Sequence, residues 1–171
     1  MIKIMGLMAL VAAAGFAGVL KAAELKERIR LLEEFLKMTL TLKGRIQYFR
    51  QPLIPLFAQV GTAGNTSAFH LLKQCRKQLE EKQGEISQVW IQEAEKIYGR
   101  TAITGEDLEI ICHMGSFIGQ TDYENQQMQF SFLETRLQEQ LTEAREDCRQ
   151  KGPMYRRIGF FGGAIAALVL L

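Results

Sequence analysis

The sequence has few of the residues from which catalytic and metal sites are usually built. It contains two histidines and three cysteines, and the cysteines show no CxxC spacing. An odd number of cysteines without that spacing excludes a disulfide scaffold and a four-cysteine zinc site. The motifs GxxxxGK[ST], GxGxxG and HExxH are also missing. We therefore expect no enzyme activity, no cofactor and no metal.

An excess of charge of either sign is missing as well. The 171 residues carry 21 Lys+Arg and 19 Asp+Glu, a net charge of +2. Bulk electrostatics therefore gives no reason to expect a nucleic-acid partner, and no motif indicates a small-molecule substrate. The charges that are present are unevenly placed, because residues 4–20 and 158–171 contain none. The chain is a polar block with an apolar segment at each end.

The first apolar segment is long enough for a short membrane span. As a helix, residues 4–20 would extend roughly 26 Å, against about 30 Å for a bilayer core. Lys3 and Lys21 flank the segment and can reach the two interfaces. A cleaved signal peptide is the alternative, since one lysine, an apolar core and small residues near Ala22 also fit that pattern.

The second apolar segment favours membrane insertion. Residues 158–171 are too short alone, but counting from Met154, with Arg156 and Arg157 reaching the interface, gives about 27 Å. A basic cluster directly follows the first apolar segment, and another directly precedes the second. Positive residues mark the cytoplasmic side of a membrane segment. The predicted organisation is an N-terminal transmembrane segment at 1–20, a cytoplasmic helical domain at 21–153 and a C-terminal membrane anchor at 154–171. The predicted membrane-interface residues are Lys21, Arg156 and Arg157.

Small residues recur in both apolar segments. Gly159 and Gly163 have the GxxxG spacing, and Ala14, Gly15 and Gly18 lie in the first segment. Small faces let membrane helices approach closely, although glycine is also simply common in such helices. The spacing indicates a membrane packing face at Gly159 and Gly163.

Helical periodicity dominates the polar block, so the predicted fold class is all-α, with a bundle of about six helices. The predicted helices are 22–49, continuous with the first span; 53–60; 68–83; one from a Ser87 cap to Gly99; one from a Thr104 cap to Gly119; and 123 to about 150. Thr104 and Asp107 have the spacing of a capping box. The predicted inner face of the last helix is Met128, Phe132, Leu133, Leu137, Leu141, Ala144 and Cys148.

Charge is segregated along the polar block. Residues 21–50 carry eight basic and four acidic groups, whereas residues 80–147 carry five basic and fifteen acidic groups. We expect the acidic part to face a protein partner, with the polar residues around the start of the last helix as the contact. The predicted partner-binding residues are Gln120, Asp122, Glu124 and Gln126. Asp122 is equally suited to act only as a helix N-cap.

Three stretches resemble a known family. They are residues 44–53 (GRIQYFRQPL), residues 108–126 with FIGQTD at 117–122, and residues 154–160 (MYRRIGF) followed by Gly163 and an apolar tail. Over essentially its whole length the chain resembles the stage III sporulation protein AB family. It departs from the family pattern at Arg45, where an acidic residue is expected. It departs again at Gly152-Pro153, which predicts an interruption of the helix entering the anchor.

The resemblance implies a role in endospore-forming bacteria, in the mother-cell membrane facing the forespore. The implied partners are a cytoplasmic ATPase, stage III sporulation protein AA, the other AA–AH membrane proteins of a channel- or secretion-like complex, and membrane lipid. The soluble part would be similar to the cytoplasmic domain of type II secretion F platform proteins. The implied function is a non-enzymatic platform that couples the ATPase to the membrane complex. The alternative is a membrane-anchored extracytoplasmic binding module with a cleaved signal peptide.

Overall fold

Six α-helices form the described part of the chain. The structure, a computed structural model, describes residues 2–49, 53–82, 84–119 and 123–169, without the side chains of 2–7, 9, 10, 47–49, 53, 82, 123 and 166–169. The helices are α1 (Ile2–Phe49), α2 (Leu53–Gly61), α3 (Ser67–Lys82), α4 (Ile86–Tyr98), α5 (Gly105–Phe117) and α6 (Tyr123–Val169). No strand occurs among these residues, so the predicted all-α class and the number of helices are confirmed.

The chain forms two compact units. The central unit is Arg30–Leu141, and the terminal unit combines Met1–Ile29 with Thr142–Leu171. Helices α1 and α6 each contribute residues to both units, whereas α2 to α5 belong to the central unit alone.

Aromatic rings fill the middle of the central unit. Trp90 on α4 is completely buried, and its indole Nε1 donates a hydrogen bond to the carbonyl oxygen of Ile111 at 2.8 Å. The ring of Phe35 makes edge contacts with Trp90 and Tyr98, with centroids 6.5 and 6.2 Å apart. Gly115 lets α5 approach this cluster, since a Cβ there would lie 2.8 Å from Cδ1 of Trp90. These contacts join α1, α4 and α5 into one core.

The capping box at the start of α5 is confirmed. The backbone N–H of Asp107 donates to Thr104 Oγ1 at 3.2 Å, and the N–H of Thr104 donates to the Asp107 carboxylate at 3.0 Å. The cap predicted at Ser87 is wrong, because α4 begins at Ile86 with Glu85 as its N-cap. Side chains can cap only where the backbone leaves the helix, and here it does so before Ser87.

The predicted end of the last helix near residue 150 is also wrong. Helix α6 continues through Pro153 to Val169. A proline inside a helix removes one backbone hydrogen bond and costs about 3 kcal/mol. The helix persists because residues beyond Pro153 pack against α1, as Tyr155, Gly159 and Gly163 do.

Candidate interaction surfaces

Small residues bring α1 and α6 close together in the terminal unit. A Cβ added to Gly159 would lie 2.7 Å from the carbonyl oxygen of Ala14 and 3.1 Å from the Cα of Gly18. A Cβ added to Gly18 would clash with the carbonyl oxygen of Tyr155. At Gly163 it would lie 3.0 Å from the Cβ of Ala14. The contact therefore involves Gly18 in addition to the predicted pair, Gly159 and Gly163.

Large apolar side chains of the terminal unit are exposed. Between 48% and 70% of their surface is accessible at Met8, Phe16, Val19, Leu20, Ile158, Phe160, Phe161 and Ile165. Proteins in water bury large apolar side chains between their helices and rarely expose them in numbers. Small residues between helices and large apolar residues outside are typical of helices packed in lipid, where the surroundings are as apolar as the side chains.

In the described part of the chain, no helix has a stretch that is both long enough and apolar enough to cross a membrane. The side chains of residues 1–7, 9–10 and 166–171, which make up much of both predicted membrane segments, lie outside the described residues.

The predicted interface residues lie at the surface of the terminal unit. The ammonium of Lys21 donates a hydrogen bond to the Glu24 carboxylate at 2.7 Å, and this bond raises the pKa of Lys21. Arg156 and Arg157 are exposed and form no ion pair with any residue that the structure describes. These two arginines keep their full positive charge available to an external anion.

Of the four predicted partner-binding residues, one is available at the described surface. Glu124 is exposed on the first turn of α6. Gln126 is only 8% exposed, so its side chain offers little to a partner. Gln120 and Asp122 lie outside the described residues. A partner surface at this end of α6 therefore depends on Glu124 together with exposed residues further along the helix.

Met128 and Phe132 extend that surface and were missed, because the sequence pattern placed them in the core. They are 67% and 57% exposed and follow Glu124 at intervals of four residues, one helical turn each. The ring of Phe132 makes an edge contact with His113 of α5, with centroids 6.4 Å apart. We call Glu124, Met128, Phe132 and His113 the α5–α6 surface. A shallow cavity of about 230 Å³ opens there, lined by Glu109, Ile110, His113, Phe132, Leu133 and Arg136.

The cysteines offer little reactivity in the central unit. Cys75 is completely buried, and desolvation raises the pKa of its thiol to about 12. Burial and the nearby carboxylates of Glu95 and Glu109 raise the pKa of Cys112 to about 11. Thiols with such values remain protonated near neutral pH and are poor nucleophiles. Among the described residues no three histidine, cysteine or acidic side chains converge as metal ligands would.

These features define an all-α protein in which a helical domain is joined to a closely packed pair of terminal helices. The chain belongs to the stage III sporulation protein AB family, whose sequence profile it matches over residues 3–171. The resemblance seen in the motifs is thereby confirmed. A solved structure titled "Stage III sporulation protein AB (SpoIIIAB)" has a TM-score of 0.65 and 20% sequence identity. The match covers 71% of this chain and 96% of that chain, and it shows a common fold. No match is found among curated proteins.

Proposed function

We propose that this chain is a non-enzymatic membrane platform of a sporulation complex. In this role it couples a cytoplasmic ATPase, stage III sporulation protein AA, to the other AA–AH membrane proteins between mother cell and forespore. Membership of the stage III sporulation protein AB family supports the role in sporulation. The observation that supports the membrane part of this role is the packing of the terminal unit.

That packing suits a lipid environment better than water. Glycines occupy the contact between α1 and α6, while large apolar side chains such as Phe16, Phe160 and Phe161 face outward. In water, each exposed side chain of this size forgoes about 1.5–3 kcal/mol of burial free energy. In lipid that loss disappears, and close packing of small residues holds the helices together. We therefore propose residues 1–20 and 154–171 as membrane segments and residues 21–153 as cytoplasmic.

The α5–α6 surface is the proposed contact with the ATPase. Exposed Met128 and Phe132 supply apolar area that a partner can bury, and apolar anchors dominate the affinity of most interfaces. The surrounding residues 80–147 carry fifteen acidic and five basic groups. A partner surface with an apolar pocket and a basic rim fits this combination, because opposite charges speed and orient association.

Co-purification from detergent extracts of sporulating cells tests this contact. The double variant Met128→Ser/Phe132→Ser should weaken retention of the ATPase by about thirtyfold, as loss of a strong interface anchor does. The matched control is Ile91→Ser, which alters an exposed apolar residue of α4. It should retain the ATPase, and both variants should melt at nearly the same temperature as the unmutated chain. If the double variant retains the ATPase as well as the unmutated chain does, the α5–α6 surface is not the contact.

The alternative, an extracytoplasmic module with a cleaved signal peptide, fits the terminal unit less well. Cleavage near Ala22 would remove Ala14 and Gly18, the residues of α1 that Gly159 contacts. Gly159 and Gly163 of α6 would then have lost the helix against which they pack. We therefore favour a retained N-terminal segment.

A further inference from the structure

A basic groove lies in the terminal unit where the charged parts of α1 and α6 adjoin their uncharged ends. Its volume is about 400 Å³, within the usual range of roughly 300–1,000 Å³ for small-molecule sites. The groove is lined by Ala22 and Lys26 of α1 and by Cys148, Arg149, Gly152, Pro153, Arg156 and Arg157 of α6. Half of these residues are cationic, and no carboxylate is among them.

Most of the charge in the basic groove is unbalanced. Lys26, Arg156 and Arg157 form no ion pair with any described residue of the chain. The guanidinium of Arg149 is paired, since its Nη2 donates to the Glu146 carboxylate at 2.7 Å. Three neighbouring cations without counter-charges repel one another, so an anion bound among them relieves that repulsion.

One lining residue of the groove, Gly152, leaves room for such an anion. Gly152 is buried, yet a Cβ built there would meet no other group within 4 Å. Ala22 and Pro153 provide an apolar lining beside it. A compact anion attached to an apolar chain suits this mixture of cationic side chains, free space at Gly152 and apolar side chains better than a fully hydrated ion does.

We propose that the basic groove binds the phosphate of an anionic phospholipid, with phosphatidylglycerol as the representative headgroup. The guanidinium groups of Arg156 and Arg157 and the ammonium of Lys26 donate hydrogen bonds to the phosphate oxygens. The acyl chains then run beside the exposed apolar side chains that start at Leu20 and Ile158. This inference rests on the proposed function, because a lipid meets the groove only if the adjoining helix ends lie in a membrane.

Cys148 provides a reporter of occupancy within the groove. Its side chain is half-buried and unpaired with another cysteine. The full chain in detergent micelles is treated with an uncharged maleimide, and modification of Cys148 is followed by peptide mass spectrometry. Short-chain phosphatidylglycerol should slow the modification saturably, whereas phosphatidylcholine and inorganic phosphate at equal concentrations should not. Lys26→Gln and Arg156→Gln should each raise the half-protective lipid concentration by about fivefold.

Lys151→Gln is the charge-matched control, since Lys151 lies on the same stretch of α6 but does not line the groove. It should leave protection unchanged. Equal protection by inorganic phosphate would overturn the lipid in favour of a free anion. If phosphatidylglycerol does not protect Cys148, the basic groove is not a lipid site. The same holds if Lys151→Gln weakens the protection as much as Lys26→Gln and Arg156→Gln do.

Alkaline carbonate extraction of cell membranes separates this inference from the proposed function. A chain that stays in the membrane but shows no lipid protection would overturn the basic groove alone. A chain that alkali releases would overturn the membrane segments, and with them the lipid assignment.

Discussion

Two glycines in the same apolar stretch of α6 have different surroundings. A Cβ at Gly159 would lie 2.7 Å from the carbonyl oxygen of Ala14, whereas a Cβ at Gly162 would meet nothing within 4 Å. Both residues are glycines, but only at Gly159 does the neighbouring helix leave no room for a side chain. The spacing of the sequence identified Gly159 through its partner Gly163. The structure shows that Gly18, one of the small residues of the first segment, is the residue that Gly159 meets on the opposite helix.

Alanine at these two positions should have effects of opposite sign. Gly159→Ala should destabilise the terminal unit by about 1–3 kcal/mol, because the added methyl group forces the helices apart. Gly162→Ala should stabilise it by up to about 1 kcal/mol through the better helix propensity of alanine. Thermal unfolding of the full chain in detergent, followed by circular dichroism, measures both. Equal effects in the two variants would contradict the close approach at Gly159.

The buried thiol of Cys75 makes stability depend on alkaline pH. Burial raises its pKa from 9.0 to about 12, so above pH 9 the unfolded chain loses a proton that the folded chain keeps. The free energy of unfolding should therefore fall between pH 9 and 12, by at most about 4 kcal/mol from this group. Below pH 9 the group should contribute no pH dependence.

Denaturant titrations of the full chain at several pH values measure this slope. In Cys75→Ala the slope should be shallower but not zero, since burial also raises the pKa of Cys112 and Tyr98. A variant that keeps the full slope of the unmutated chain would show that Cys75 is not the group responsible.

At the scale of elements, α6 shows what periodicity can and cannot predict. The predicted inner residues Leu133, Leu137, Leu141 and Ala144 are buried, whereas Met128 and Phe132 are exposed. The buried row instead continues backward through Phe130 to Gln126, at steps of three and four residues. The buried row includes the polar residue Gln126 and excludes the apolar residues Met128 and Phe132. The pattern of apolar residues in the sequence therefore does not reveal which face is buried. Only the packing of the neighbouring helices decides between Phe130 and Phe132.

Truncation of residues on the two faces of α6 should separate core from surface. Leu137→Ala should lower the free energy of unfolding by about 2–5 kcal/mol, because Leu137 is completely buried and leaves a cavity. Phe132→Ala removes more atoms but should cost less than about 1 kcal/mol, since the ring is largely exposed. Denaturant unfolding of the full chain in detergent gives both values. The reverse order would place the core on the other face.

The ends of some helices depend on neighbouring residues in the sequence, and those of others depend on contacts with distant residues. The capping box of Thr104 and Asp107 could be predicted, because its two hydrogen bonds join residues three apart. The continuation of α6 through Pro153 could not, because it depends on contacts with α1, more than a hundred residues away in the sequence. Candidate site residues follow the same rule: glycine spacing is visible in the sequence, whereas the exposure of Met128 is not.

For the whole molecule, the distribution of positive charge fixes an expected orientation. Basic residues follow the first apolar segment and precede the second, so the central unit should lie in the cytoplasm and both termini outside it. Alkaline phosphatase fused to the C-terminus should therefore be active, since this reporter folds only outside the cytoplasm. Inserted in the turn between α2 and α3, the same reporter should be inactive. An inactive C-terminal fusion would mean that the last segment does not cross.

The buried position of Trp90 also determines how the protein can be observed. It is the single tryptophan of the sequence, it is completely shielded from solvent, and its indole N–H is held by the Ile111 carbonyl. The chain also contains four tyrosines, so the indole must be excited at the red edge of its absorption, where tyrosine does not absorb. The emission then comes from one chromophore in an apolar, fixed site of the central unit. The spectrum should be blue-shifted and resistant to acrylamide quenching until the central unit unfolds. Since the terminal unit contains no tryptophan, unfolding of the central unit can be followed optically in the presence of lipid vesicles, without any label.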